Sequence, residues 1–123
     1  MASFLRAWDL TAAQYNVLRI LRGAGETGAT CSQISERMIS RDPDITRLLD
    51  RLEARGLLTR ERGKEDRRVV MTRISPEGLR LIGGIDEPLR ELTRKRLGGL
   101  DKSALATLIE QLEQVRSLFE TEL

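Results

Sequence analysis

The chain has 123 residues, room for one ordinary domain and one core, and it is 40% hydrophobic, 33% charged and only 3% aromatic. An apolar load carried by leucine, isoleucine and valine suits packed helices better than a β-sandwich. There is no histidine and a single cysteine, Cys31, which excludes Ser-His-Asp and Cys-His catalysis, the common structural zinc sets and any disulfide within the chain. The net charge of +2 hides an asymmetry. Residues 37–73 hold eleven basic and seven acidic side chains, or +4, while the remainder holds ten and twelve, or −2. A basic middle between mildly acidic flanks suits a polyanionic partner. No apolar run approaches the ~20 residues that span a bilayer, and the first residues do not read as a secretory signal. The expectation is a cytoplasmic, non-catalytic protein with no cofactor, no metal and no membrane partner.

In chain order, Phe4, Leu5 and Trp8 offer at most two amphipathic turns. Thr11 and Gln14 form a capping box, with Leu10 and Tyr15 at the hydrophobic-staple positions, so a helix opens there. Val17, Leu18, Ile20 and Leu21 give it a wide buried stripe, and Gly23 is placed to end it. Thr30 and Gln33 form a second box that opens a short helix, with Ile34 and Met38 facing inward and an end near Ser40. Asp42-Pro43 reads as cap plus first helical position of a further helix, about 43–55, with Ile45, Leu48, Leu49 and Leu52 on one face and Gly56 closing it. Two short helices so close together form a helix-turn-helix pattern.

Leu57 to Arg62 and Arg68 to Ile74 read as a charged β-hairpin turning at Gly63-Lys64-Glu65-Asp66. Ser75-Pro76 then starts a helix with Ile82, Ile85, Leu89 and Leu92 near a heptad seam. Gly98-Gly99 breaks the chain, and Asp101 caps a last helix whose seam is Leu105, Leu108, Leu112, Val115 and Phe119. The fold class is therefore mainly α with a small β-hairpin wing, a winged helix-turn-helix followed by C-terminal dimerisation helices. In such a module the second helix of the pair enters the major groove, and the hairpin tip reaches phosphates or the minor groove.

The segments LTAAQYNVLRIL, DITRLLDRLEARGLLTRER and DRRVVMTRISPEG, between Leu10 and Gly78, resemble the multiple-antibiotic-resistance regulator (MarR) family of transcription factors. The aspartate-any-arginine wing signature, followed by a strand and a Ser-x-x-Gly helix start, carries most of that likeness. The resemblance extends over roughly the last nine-tenths of the chain, the two C-terminal helices matching in layout only. It implies a cytoplasmic, homodimeric, sequence-specific regulator of double-stranded DNA, a repressor by family habit, reading a palindromic operator. It implies one unit over 1–123, with a DNA-binding core at 10–75 and dimerisation by 76–123 and the short segment 1–9.

Residue by residue, Arg68 is implied as the wing arginine of the minor groove and Asp66 as the carboxylate that holds it, against the plainer reading of a surface ion pair stiffening a turn. Arg62, Lys64 and Arg67 are expected on phosphates. Thr46 and Arg47 match DNA-facing positions, with Asp44 and Arg51 as weaker candidates and Ser32 as a phosphate contact at a helix start. The plainer alternative for this face is a solvated helix, with side chains such as Arg47, Asp50 and Arg51 pairing three or four residues apart where their charges are opposite. Leu89, Leu92, Leu105, Leu108, Leu112, Val115 and Phe119 are expected at the dimer interface. Family members carry a long first helix, of which only nine residues precede Leu10 here, which weakens the expectation of a small-molecule effector and leaves its identity open. Cys31 opens the helix-turn-helix and is read as an inert small residue. A winged-helix protein-interaction scaffold and a nonspecific DNA binder remain as alternatives.

Overall fold

The computed structural model describes residues 2–39 and 44–122, with side chains from residue 3 to 118 among them. It divides into two compact units, Met1–Asp86 and Glu87–Leu123. In the first unit, α1 (Ala2–Leu5) runs into a 3-10 turn, Arg6–Trp8. The rings of Phe4 and Trp8 lie 5.1 Å apart. Asp9 takes a left-handed conformation (φ 55°) and returns the chain to the core, where Leu5 and Leu10 are buried.

The Thr11 box opens α2 (Ala12–Ala24) as expected: the Gln14 N–H donates to the Thr11 hydroxyl at 3.1 Å, and the Thr11 N–H donates to Gln14 Oε1 at 3.0 Å. Tyr15, Val17, Leu18 and Leu21 are buried. The helix passes through Gly23 and ends at Ala24. The residue with positive φ is Gly25 (63°), where the chain turns into a second 3-10 turn, Gly25–Thr27.

The second box opens α3 (Cys31–Arg37), which stops short of Ser40. Met38 is extended and leaves the Ile34 stripe, because the next donor, the Ile39 N–H, finds a side-chain acceptor on α2, Asn16 Oδ1 at 2.8 Å. The expected start at Asp42-Pro43 lies outside the described residues. As described, α4 runs Ile45–Ala54 and its cap is Asp44, whose carboxylate accepts from the Arg47 N–H at 3.2 Å. Leu48, Leu49 and Leu52 are buried, and α4 packs on α2 and α3.

The hairpin is shorter than the sequence suggests. Strands β1 (Leu58–Arg62) and β2 (Val70–Ile74) pair antiparallel, Leu58 opposite Ile74 and Arg62 opposite Val70. Leu57, Arg68 and Val69 fall outside them. The turn is correspondingly longer: the Gly63 N–H donates to the Val69 carbonyl at 2.8 Å and the Val69 N–H to the Asp66 carbonyl at 3.1 Å. A third partner was not foreseen. Ala29 and Thr72 exchange two backbone hydrogen bonds, 2.9 and 2.8 Å, fixing the hairpin to the loop before α3. Both residues are buried.

Ser75 joins three elements. Its hydroxyl donates to the Gly56 carbonyl at 2.6 Å and accepts from the Gly78 N–H at 3.0 Å, opening α5 (Pro76–Arg96). Gly78 lies against the Leu57 carbonyl and 2.7 Å from Ile74 Cγ1 if a Cβ is added, so the Ser-x-x-Gly pattern records close packing of α5 on the hairpin. Ile82 and Ile85 enter the core while Leu79 stays exposed. Arg22 ion-pairs with Asp86 at 2.9 Å.

The boundary between units falls inside α5. Close by, Pro88 lacks the N–H that would bond the Gly84 carbonyl. In the second unit Gly98-Gly99 interrupts the helix, and the Asp101 carboxylate accepts from the Ala104 N–H at 2.7 Å to open α6 (Lys102–Glu122). Among the described residues no helix is long and apolar enough to cross a membrane, and no side-chain cluster fits a metal ion.

Candidate nucleic-acid interface

The polar side of α4 is built by spacing. Three leucines buried within one and a half turns force the remaining positions outward, and Thr46, Arg47, Asp50 and Arg51 are all exposed. At 3.6 residues per turn, Thr46, Asp50 and Glu53 share one edge of this side, Arg51 lies on the opposite edge, and Arg47 stands between them. Asp44 is committed to capping. Its carboxylate also fits the macrodipole, which favours an anion at the helix start.

The hairpin shapes the first edge. Arg60, at the centre of β1, donates from one nitrogen to Asp50 Oδ1 at 2.5 Å and to Glu53 Oε1 at 2.7 Å. Its side chain is only 22% exposed. Asp50 is thus tied to the wing through Arg60. The Arg60 hydrogen bond holds the Glu53 carboxyl below the usual glutamate range, and the same pair raises the guanidinium above its usual value. Sequence reasoning missed Arg60. Its only signal was the alternation of β1, which puts residue 60 on the same face as the buried Leu58.

At the tip, Asp66 grips Arg68 through three hydrogen bonds: Oδ1 accepts from the Arg68 backbone N–H at 3.0 Å and from Nε at 3.1 Å, while Oδ2 accepts from Nη2 at 3.3 Å. These bonds hold the Asp66 carboxyl below the usual aspartate range. The Arg68 side chain is nonetheless 91% exposed, so the pair aims the guanidinium without covering it. Arg62 has a different task, donating to the Arg67 carbonyl at 2.8 Å and strapping the turn from within. Lys64 and Arg67 are exposed on that turn.

Arg51 is exposed beside the N-terminal turn. It lines a cavity of about 500 Å3 with Arg6, Asp9, Thr11 and Arg55, behind the far edge of α4. Arg55 closes that side, donating to the Asp9 carbonyl at 2.6 Å and ending α4 against the N-terminal turn. Ser32 is exposed in the first turn of α3, next to the half-buried Cys31. Gln33 is taken up by its capping box. In the second unit Leu89, Leu92 and Leu105 are half-buried, and Leu108, Leu112 and Val115 are exposed. The Phe119 side chain lies outside the described residues.

Comparison with known proteins agrees with this arrangement. The MarR family profile matches residues 10–70. The HTH-type transcriptional repressor IacR of Pseudomonas putida is 33% identical over 121 residues, covering 98% of this chain and 71% of that protein. Among solved structures, a MarR transcription factor from Planctomyces limnophilus is 40% identical with a TM-score of 0.69, covering 91% of this chain and 81% of that one. E. coli MarR in its apo form is 26% identical with a TM-score of 0.80, covering 93% and 84%. These relatives are regulators of transcription rather than enzymes. The chain belongs to the MarR family of winged-helix transcriptional regulators.

Proposed function

We propose that the protein is a homodimeric repressor that reads a palindromic operator in double-stranded DNA, with α4 in the major groove and Arg68 in the minor groove. The observation that carries this reading is the tip of the wing, where a carboxylate orients an arginine that stays almost wholly open to solvent. A minor groove about 6 Å wide concentrates negative potential and favours such a guanidinium. Thr46 and Arg47 are the base-reading side chains, because they are exposed near the start of α4 and neither is consumed by the cap. Arg67 and Lys64 serve phosphates, and Ser32 touches the backbone at the start of α3. Asp44 and Arg51 are supporting members, one shaping the helix start and the other bordering the cavity behind it.

Dimerisation is supported by α6, where Leu108, Ile109, Leu112 and Val115 form an exposed apolar face. Two-fold pairing would set two α4 helices about one turn of DNA apart, some 34 Å, and explain a palindromic site. Residues 10–75 then read the operator, while 76–123 and the short segment 1–9 pair the two copies. A small-molecule effector belongs to the reading as a partner of unassigned chemistry.

The test is titration of a labelled fragment of the gene's own upstream region, with scrambled DNA as competitor, at two salt concentrations. Selective binding that weakens steeply with salt is expected. Arg68→Ala should weaken operator binding roughly 10- to 100-fold, equivalent to about 1–3 kcal/mol, and leave the fold intact. Equal affinity for both DNAs points to a nonspecific binder, and a protein partner retained by Arg68→Ala with no DNA binding by the wild type points to a scaffold.

A further inference from the structure

Helix α4 carries two carboxylates on the edge it shares with Thr46, and both belong to residues that are substantially exposed: Asp50 at 57% and Glu53 at 41%. Left alone, that edge would repel the phosphates flanking any groove it entered. Arg60 reaches both from the neighbouring strand, at 2.5 and 2.7 Å, and is itself three-quarters covered. We infer that Arg60 tempers the negative charge on this edge of the reading helix, masking Asp50 and Glu53 and fixing the orientation of α4 against the wing. It is a positioning residue that touches no DNA.

The geometry favours masking over simple bracing. A brace needs one partner. Here one nitrogen bridges two carboxylates one helical turn apart, so the pair of negative charges is met by one cation and their mutual repulsion is relieved. The same hydrogen bond holds the Glu53 carboxyl below the usual glutamate range. Partial neutralisation also leaves a residual negative charge on this edge. That residue of charge disfavours indiscriminate phosphate binding, so the same contact serves selectivity.

This inference rests on the DNA-binding reading above, and the experiment separates the two. Full-length wild type, Arg60→Met, Arg60→Lys and the triple variant Arg60→Met/Asp50→Asn/Glu53→Gln are titrated into operator and scrambled DNA at low and high salt, with melting curves for each. Arg60→Met should weaken operator binding about tenfold at low salt and less at high salt, because unmasked charges are screened. The triple variant should recover most of the affinity although the clamp is still missing, and Arg60→Lys should lie between wild type and Arg60→Met. If Arg60→Met melts too low to assay, the Lys variant and the doubly neutral Asp50→Asn/Glu53→Gln protein decide. The latter should bind scrambled DNA more tightly than the wild type does. A triple variant as weak as Arg60→Met, or an Arg60→Met loss independent of salt, overturns masking and leaves only bracing. A wild type that shows no preference for the operator overturns the functional reading itself, whereas normal wild-type binding with an unaffected Arg60→Met overturns this inference alone.

Discussion

Helices α4 and α6 are written in the same code and meet opposite fates. Both place leucines and their relatives three and four residues apart. In α4 the stripe is sealed, with Leu52 at 0% exposure and Leu49 at 2%, while in α6 Ile109 is 56% and Leu112 59% exposed. The difference lies in what surrounds them. α4 is hemmed in by α2, α3 and β1, and its polar side is tied down by Asp44 and Arg60. α6 has no such neighbours within its unit apart from the end of α5. A helical stripe declares that something must cover it, and only the rest of the chain decides whether the cover is its own core or a second copy.

That contrast can be broken from either side. Replacing Ile109 and Leu112 together by glutamate should cost self-association about 3–6 kcal/mol, since each buried aliphatic side chain is worth about 1.5–3 kcal/mol. Sedimentation should then report a monomer whose first unit melts unchanged. Leu52→Ala should do the reverse. It removes a fully buried leucine, lowering the stability of the first unit by about 2–5 kcal/mol as measured by denaturant unfolding, while the α6 surface stays the same.

A smaller effect sharpens the polar side of the comparison. Glu53 and Asp66 both titrate below their ordinary ranges because of their arginine partners. A depressed folded-state value means that each pair stabilises the fold above the unfolded carboxylate's value and is lost as pH falls through the lower, folded one. Near neutral pH the protein should therefore be insensitive to small shifts, and the loosening should come only under strong acid. Carboxyl-detected NMR titration should give a Glu53 midpoint that rises toward the ordinary value in Arg60→Met, with Asp66 unmoved.

Much of this architecture could be read from the chain because it is locally encoded. Both capping boxes, the Asp101 cap, the Gly98-Gly99 break and the hairpin are short-range signals, and the structure uses each of them. Errors gathered where a distant atom competes. α3 ends early because Asn16 supplies an acceptor from another helix, and the tie from Arg60 to Asp50 was missed because it comes from the wing. The Ala29–Thr72 bridge was invisible for a related reason, since a single paired residue leaves no alternation to detect. The wing pair Asp66–Arg68 was legible as chemistry because its partners are two residues apart, whereas the cavity that Arg51 borders depends on an N-terminal turn some forty residues away in the chain.

The hairpin is fixed at its root and open at its end. Ser75 holds its base through the Gly56 carbonyl, Ala29 and α4 grip its middle at one level through Thr72 and the opposing Arg60, and beyond Arg62 the turn's own bonds hold Asp66 and Arg68. Mechanically this is a cantilever, whose stiffness is greatest at the clamp and whose free end moves most for a given force. On the proposed reading, such a device would hold the helix to a fixed register while its tip follows grooves of differing width. Operators should accordingly tolerate more variation beneath the wing than beneath α4.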